Sequence, residues 1–410
     1  MTVTKKQRVP VLRFPEFTGE WQEKKLGEVT KINQGLQIPI SDRFTKKVLN
    51  SYFYITNEFL KEGSTKKYYI QNPPQSVICN ENDILMTRTG NTGQVLTGVS
   101  GAFHNNFFKV KYSKNCNKSY LYYFLKLDKT QRIILKYAGA STIPDLNHSD
   151  FYRINIHLPS LFEQQKIADF LSSLDERIRL LKEKKKNLEA YKKGVMQQIF
   201  LQSLRFKDKN GNDYPNWEEK KLGDIGETYN GLTGKTAEAF GKGKPYIQYK
   251  QIFDDSLINI DKCAFVDIKE NESQSNVQYG DVFFTVSSET PNEVGMSSVL
   301  LQHVNNMYLN SFSFGFRPND LDILSPHFLR YLFRSKDVRA KIIKLAQGST
   351  RYNMSKNEFL KIKVSVPSFP EQLQIADFLS AIDDHITLYC EQIKESENYK
   401  KGLLQQMFVY

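Results

Sequence analysis

Two short fragments contain residue types that act on nucleotides and nucleic acids. The fragment G-L-T-G-K-T at 231–236 ends like a phosphate-binding loop, but that motif needs a glycine where the chain has Tyr229. The fragment N-P-P-Q at 72–75 is like the N-P-P-aromatic motif of amino-methyltransferases, yet Gln75 stands in place of the ring that stacks on a flipped base. Neither fragment predicts nucleotide binding or methyl transfer by this chain.

Metal-ligating side chains lie far apart in the sequence. Asp83 and Asp281 lack the spaced acidic and lysine partners of a metal-dependent nuclease, so we interpret both as turn or strand-edge residues. The four cysteines are widely separated and the six histidines form no H-x₃-H set, which predicts neither a zinc site nor a disulfide framework. Because no apolar stretch approaches a membrane span or signal peptide, we expect a soluble, cytoplasmic protein.

The charge of the chain is unevenly distributed. The net charge is +12; residues 1–162 hold 23 basic and 12 acidic side chains, whereas residues 204–370 hold 22 and 20. A basic segment suits a polyanion, and nucleic acid is the commonest one. Excess lysine that only aids solubility is the alternative interpretation.

Polar loops supply the residue types that hydrogen-bond to DNA bases and phosphates. They are two loops at 87–93 and 287–293 and two small-residue turns at 140–147 and 348–355, with weaker candidates after two glycine turns. The predicted DNA-binding residues are Lys31, Gln34, Arg88, Asn91, Thr92, Ser141, Thr142, Asn147, Lys235, Tyr249, Lys250, Ser288, Asn292, Ser349, Thr350, Arg351 and Asn353. For any one of them, an ordinary polar loop or helix cap is the alternative.

These loops must be positioned by a scaffold, and the chain contains that scaffold twice. The stretch E-Q-Q-K-I-A-D-F-L-S from Glu163 recurs as E-Q-L-Q-I-A-D-F-L-S from Glu371, and both copies end in Y-K-K-G-x-x-Q-Q-x-F, always 208 residues apart. The openings W-Q-E-K-K-L-G from Trp21 and W-E-E-K-K-L-G from Trp217 are 196 residues apart. The ends of each copy are therefore constant while the middle varies, as expected for one scaffold with two recognition surfaces.

Each copy is predicted to end in one long helix, because apolar residues fall on the 4-3 rhythm of a coiled-coil seam. Opposite net charges, +3 for residues 163–203 and −4 for 371–410, favour pairing of the two helices with each other. Antiparallel pairing would place the arms at opposite ends of a rod roughly 60 Å long, and parallel pairing at the same end. The predicted seam is Ile167, Leu171, Leu174, Ile178, Leu181, Leu188, Ile375, Leu379, Ile382, Ile386, Tyr389 and Ile393.

The segments before the long helices are predicted to be mixed α+β arms. Helices are expected at 119–127 and 326–335, and strands that lead into the long helices at 151–159 and 359–367. The predicted domains are a first arm at 1–158, a spacer helix at 159–203, a second arm at 204–366 and a second spacer helix at 367–410.

Over its whole length the chain resembles the specificity subunit of type I restriction-modification systems. The doubled E-Q-x-x-I-A-D-F-L-S motif, the Y-K-K-G tails and the twin tryptophan openings carry the resemblance. It implies two target-recognition domains, each followed by a long helix, with the helices paired as an antiparallel coiled coil in a pseudo-twofold repeat. It also implies that each arm reads one half of a bipartite, asymmetric DNA site while the helix pair sets the spacer.

The resemblance further implies a chain that binds no cofactor and does no chemistry itself. Its implied partners are double-stranded DNA, two methyltransferase subunits that use S-adenosylmethionine to modify adenines, and restriction subunits that use ATP and magnesium. Two other classes of function are alternatives: a self-contained DNA modification enzyme, and a coiled-coil adaptor whose arms bind peptides.

Overall fold

The computed structural model describes residues 8–61, 63–139 and 142–409, and its contacts divide the chain into two compact units. The first unit comprises Met1–Lys182 and Glu391–Tyr410, and the second comprises Glu183–Cys390. Each unit therefore combines one arm with part of each long helix.

The first arm is built from short strands and helices and ends in the first long helix. Its elements are β1 Gln22–Lys25, α1 Leu26–Val29, β2 Thr30–Gln34, β3 Ser51–Ile55, β4 Tyr68–Gln71, β5 Ile78–Cys79, β6 Ile84–Thr87, β7 Val95–Leu96, β8 Gly101–Phe103, β9 Phe107–Tyr112, α2 Lys118–Lys126, α3 Asp128–Ala138, α4 His148–Tyr152, β10 Asn155–Leu158 and α5 Leu161–Phe200.

The second arm repeats this order with additions in its middle. Its elements are β11 Glu218–Lys221, α6 Leu222–Ile225, β12 Gly226–Asn230, β13 Phe240–Ile247, α7 Tyr249–Asp254, β14 Ala264–Val266, β15 Val282–Thr285, β16 Ser287–Ser288, β17 Ser297–Val299, β18 Tyr308–Leu309, β19 Ser313–Pro318, α8 Pro326–Leu332, α9 Lys336–Lys344, β20 Tyr352–Asn353, α10 Lys356–Leu360, β21 Lys363–Val366 and α11 Phe369–Gln406.

Corresponding sheets occur in the two arms. The order β2-β9-β6-β7 in the first arm matches β12-β19-β15-β17 in the second, and neighbouring strands run antiparallel in both. A second sheet has the order β4-β3-β8-β5 in the first arm and β14-β13-β18 in the second, and each contains one parallel pair. The prediction of two similar mixed α/β arms is confirmed.

A glycine lies at a close approach of two backbones in each arm. A Cβ at Gly35 would lie 2.2 Å from the carbonyl oxygen of Phe103, and one at Gly231 would lie 1.9 Å from that of Asn310. Any side chain at these positions would force the backbones apart. The glycine turns noted in the sequence are therefore packing positions.

The prediction of the strands that lead into the long helices is wrong for their first residues. Phe151 lies in α4 and Phe359 lies in α10, and both side chains are buried. In the first arm the Asn147 side chain accepts a hydrogen bond from the Asp150 amide at 2.9 Å, which starts a helix there. The strands are the four-residue segments β10 and β21, which pair with the opening strands β1 and β11.

The long helices of 40 and 38 residues are continuous, as predicted, and their paired segments run antiparallel within each unit. In the first unit Asp175 of α5 pairs with Lys400 of α11, and Lys182 pairs with Glu397 at 2.6 Å. In the second unit Lys192 pairs with Asp383 at 2.5 Å. The charge complementarity noted in the sequence therefore takes the form of specific interhelical ion pairs.

The predicted seam residues differ in burial along the helices. Those near an arm are buried: Ile167, Leu171, Leu174 and Ile178 in the first unit, and Ile375, Leu379 and Ile382 in the second. Leu181, Leu188, Ile386, Tyr389 and Ile393 are half-buried. A second helix alone covers less of a side chain than a helix and an arm together, which explains the gradient. Their assignment as a coiled-coil seam stays a prediction.

A buried carboxylate at the start of each long helix binds side chains from the first segment of its arm. Glu163 accepts hydrogen bonds from the Arg13 guanidinium at 2.7 and 2.8 Å and from the Trp21 indole at 3.3 Å. Glu163 lies in the first turn of α5, where the helix dipole also favours a negative charge. Glu163 is 2% exposed, so this ion pair is shielded from water.

The second unit repeats the arrangement with Glu371, Arg205 and Trp217. Arg205 donates to Glu371 at 2.7 and 3.1 Å, and the Trp217 indole donates at 3.1 Å. Glu371 is fully buried. The same interaction, between the glutamate of the helix motif and the tryptophan and arginine of the arm's opening, therefore occurs once in each unit.

We predict that Glu163→Ala destabilises the first unit by about 3–5 kcal/mol, because the substitution leaves the Arg13 guanidinium without its buried partner. Urea unfolding followed by Trp21 fluorescence in a Trp217→Phe background measures the change. The control is Glu176→Ala, which removes a carboxylate of the same helix that pairs with Arg179 in water and should shift the transition little. Equal shifts for both variants would contradict the prediction.

Candidate nucleic-acid interface

The structure brings together the two loops of the first arm that were predicted separately. A bridge joins Thr89 to Asp145, and the Leu146 amide donates to the Arg88 carbonyl at 2.8 Å. The Arg88 guanidinium donates to Asp145 at 2.6 Å, and the Thr92 hydroxyl donates to the Pro144 carbonyl at 2.6 Å. The segments 87–93 and 142–147 therefore form one surface.

The remaining predicted residues of this surface differ in their roles. Asn91 and Thr142 are exposed, and Asn147 caps α4. Ser141 lies outside the described residues. Gln34 is exposed at the end of β2, opposite Phe108, whose ring lies 5.7 Å from the Arg88 guanidinium.

Two exposed lysines face each other at the other end of β2. Lys31 pairs in register with Lys111 of β9, and neither has an acidic partner among the residues that the structure describes. Like charges directly opposite each other on a sheet are unfavourable unless an anion lies between them. The corresponding pair of the second arm, Glu227 and Arg317, has opposite charges.

In the second arm, the short pair β16 and β20 joins the corresponding loop and turn. Ser287 pairs with Asn353 and Ser288 with Tyr352. A cavity of about 850 Å³ opens beside this pair. Its lining includes five predicted DNA-binding residues: Tyr249, Lys250, Ser288, Thr350 and Arg351.

Hydrogen bonds inside this cavity fix several of its side chains. The Tyr249 hydroxyl donates to the Ser287 carbonyl at 2.7 Å, and burial raises the pKa of Tyr249. The Ser288 hydroxyl donates to Glu293 at 2.8 Å, and hydrogen bonds from Ser288 and Thr290 lower the pKa of that carboxyl. Lys250 forms an ion pair with Asp254 at 2.7 Å.

Two half-buried arginines that were not singled out in the sequence hold backbone segments next to this cavity. Arg339 of α9 donates to the carbonyls of Asn292 and Val294, each at 2.8 Å, and to that of Gly295 at 2.5 Å. Arg334 donates to the carbonyls of Ser297 at 2.7 Å and Asp255 at 2.6 Å, and burial lowers its pKa to about 10. Arg339 holds the backbone of the loop at 292–295, and Arg334 holds the backbone at 255 and 297.

Gln131 occupies the place of Arg339 in the first arm. It lies 208 residues earlier and donates to the carbonyl of Gly93 at 2.8 Å. The matched offset of the two helical runs is the signal that could have identified both positioning residues.

Other predicted residues of the second arm lie at the edge of the cavity or away from it. Ser349 is exposed in the turn, Asn353 is exposed in β20, and Asn292 lies in the loop held by Arg339. Lys235 does not line the cavity; its ammonium pairs with Glu272 and contacts the Asp267 carbonyl at 2.5 Å. Lys235 is thus engaged by residues of its own arm.

The two aspartates that were weighed as nuclease residues, Asp83 and Asp281, form hydrogen bonds within their own arms. Asp281 is buried and accepts hydrogen bonds from Arg317 at 2.7 and 2.8 Å and from the Tyr229 hydroxyl at 2.5 Å. Asp83 accepts from the Asn80 amide at 2.9 Å. Among the described residues, no cluster of three His, Cys, Asp or Glu side chains could hold a metal ion. In the same part of the chain, no helix is long and apolar enough to cross a membrane.

Comparison with known proteins identifies the family. The family described as type I restriction modification DNA specificity domain matches residues 18–190 and again 214–397. The type I restriction enzyme MjaVIII specificity subunit of Methanocaldococcus jannaschii is 25% identical, over 96% of this chain and 92% of the relative. The MjaIX specificity subunit of the same organism is 28% identical, over 57% of this chain and 58% of the relative.

Solved structures share the fold. The S subunit of a type I restriction-modification system from M. genitalium has a TM-score of 0.59 at 18% identity, covering 98% of this chain and 99% of that chain. A chain from a study of complex assembly and conformational transition of the type I system has a TM-score of 0.55 at 18% identity, covering 95% and 97%.

Two copies of a DNA specificity domain on one chain define a protein that recognises DNA sequence. This chain belongs to the family of type I restriction-modification specificity subunits. The predicted family is confirmed, as is a role in recognition rather than catalysis. The individual DNA-binding residues stay predictions.

We predict that Lys31→Ala and Lys111→Ala each weaken DNA binding without changing the preferred sequence. If each lysine neutralises one phosphate, the slope of log affinity against log salt should fall by about 0.9 per substitution. Fluorescence anisotropy with cognate and unrelated duplexes at several salt concentrations measures it. Lys61→Ala, which removes a lysine already paired with Glu58, is the control and should leave the slope unchanged.

Proposed function

We propose that the two arms of this specificity subunit read different halves of one bipartite DNA site. The observation that carries the proposal is that one scaffold presents two unlike surfaces. Arg88 is neutralised by Asp145 at the surface of the first arm, whereas the second arm has an open cavity lined by Arg351. Readers with different side chains require different bases, so the site is asymmetric.

We further propose that the paired helices keep the two half-sites at a fixed spacing. Antiparallel ion pairs within each unit, such as Lys192 with Asp383, support a rigid helix pair. About forty residues of helix span roughly 60 Å, which is enough to separate two readers along a duplex. The domain boundaries at 158, 203 and 366 belong to this proposal: arms 1–158 and 204–366 read, and helices 159–203 and 367–410 space them.

The partners in this proposal are double-stranded DNA, two methyltransferase subunits and restriction subunits, acting in the cytoplasm. The methyltransferase subunits would supply S-adenosylmethionine chemistry, and the restriction subunits would supply ATP- and magnesium-dependent cleavage. The membership of this chain in a family that acts within multisubunit type I systems supports that assembly.

The decisive test is to map methylated adenines in cells with and without this chain. We expect one bipartite, asymmetric motif that disappears when the chain is deleted and returns when it is supplied again. The purified chain incubated alone with labelled S-adenosylmethionine and DNA is the control and should transfer no methyl group. Transfer by the chain alone would instead support a self-contained modification enzyme.

We predict that inserting four residues into both long helices lengthens the unread spacer. Four residues add about 6 Å of helix, close to two base pairs of duplex. Methylation mapping should show a longer spacer between unchanged half-sites. New half-site sequences at the old spacing would be contrary to the proposed division of labour.

A further inference from the structure

The charged side chains that line the cavity of the second arm differ in whether they have an ion-pair or hydrogen-bond partner. Lys250 and Asp254 form an ion pair, and Glu293 accepts a hydrogen bond from Ser288. Within the described part of the chain, Glu289 and Arg351 have no ion-pair partner, although both line the same cavity. Both side chains are exposed, so they are available to a ligand.

Glu289 and Arg351 each adjoin one strand of the same short pair. The antiparallel pair β16 and β20 aligns Ser287 with Asn353 and Ser288 with Tyr352. Glu289 follows β16 and Arg351 precedes β20, so both residues leave the pair at the same end, and both line the cavity. A two-stranded ribbon is narrow enough to enter the major groove of DNA, so its tip is suited to reading base edges.

The loop that contains Glu289 and the side chain of Arg351 are each held by a neighbouring residue. Arg339 holds the carbonyls of Asn292 and Gly295, which follow Glu289 in the same loop. The Arg351 guanidinium lies 6.0 Å from the centre of the Phe312 ring, and Phe312 is 58% exposed. An exposed ring beneath an arginine orients the guanidinium plane and leaves its outer edge free to donate.

An unpaired carboxylate on a DNA-binding surface needs a physical reason, because it repels the phosphates. It is tolerated where it accepts a hydrogen bond from a base, and the amino donors of the major groove are cytosine N4 and adenine N6. An adjacent arginine selects between them. A cytosine–guanine pair offers one donor on cytosine and two acceptors on guanine, whereas adenine carries donor and acceptor on one base and suits an amide side chain.

We propose that Glu289 and Arg351 read a cytosine–guanine pair in the half-site of the second arm. Glu289 accepts a hydrogen bond from cytosine N4, and Arg351 donates two to guanine O6 and N7. The inference rests on the proposed function, since it assigns bases to one of its two readers. It also explains how an arm with 22 basic and 20 acidic residues contributes to recognition: it reads base edges, and little of its charge is left over for phosphates.

The test is methylation mapping with the chain co-expressed with its methyltransferase partners. The wild-type motif should contain a cytosine–guanine pair in one half-site, and Glu289→Gln should shift that position from cytosine towards adenine, because an amide pairs with adenine. Arg351→Ala should reduce discrimination at the same pair roughly 5- to 150-fold. The other half-site and the spacer should stay unchanged.

Glu270→Gln is the matched control, since it neutralises an exposed glutamate of the same arm outside the cavity and should leave the motif intact. If a variant abolishes methylation, competition binding to duplexes with each of the four base pairs at that position gives the same readout. A half-site without a cytosine–guanine pair, an unchanged motif, or changes in different half-sites would overturn the inference. Loss of the chain without loss of the motif would instead overturn the proposed function.

Discussion

The buried carboxylate at the start of each long helix is the constraint on which the rest of the structure depends. Glu163 and Glu371 each bind an arginine and a tryptophan from the opening of the arm. The next residue, glutamine in both copies, joins the helix start to the segment that begins α2 or α8. An unpaired buried charge is expensive, so the whole network forms or fails together. This network holds each arm in a fixed position on its long helix.

A second repeated network joins the helices to each other and to the arm. Asp175 accepts a hydrogen bond from Tyr123 of α2 and pairs with Lys400, while Asp383 accepts one from Tyr331 of α8 and pairs with Lys192. The lysines are the first of each Y-K-K-G motif. These lysines therefore supply the polar contacts that set helix register and arm orientation within each unit, and connected polar networks of this kind favour one arrangement over others.

Between these constant anchors, the two arms differ in the surfaces that are predicted to contact DNA. The first arm pairs Arg88 with Asp145 and has two opposed lysines on a strand, which suits contacts to phosphate. The second arm has a cavity lined by Glu289 and Arg351, beside a loop whose backbone is held by the half-buried Arg339. The arms therefore present two unlike surfaces on a common scaffold.

The repeat, the long helices, the mixed arms and the family were all predictable from the amino-acid sequence, because period, spacing and doubled motifs are local properties. The sequence also identified loop residues such as Arg88 and Arg351 by chemical type. Three relations emerged only with the tertiary structure: Glu272 engages Lys235, Arg339 supports a distant loop, and Glu289 and Arg351 line the same cavity. Those relations depend on contacts between segments far apart in the chain, and neither residue type nor spacing encodes which groups meet.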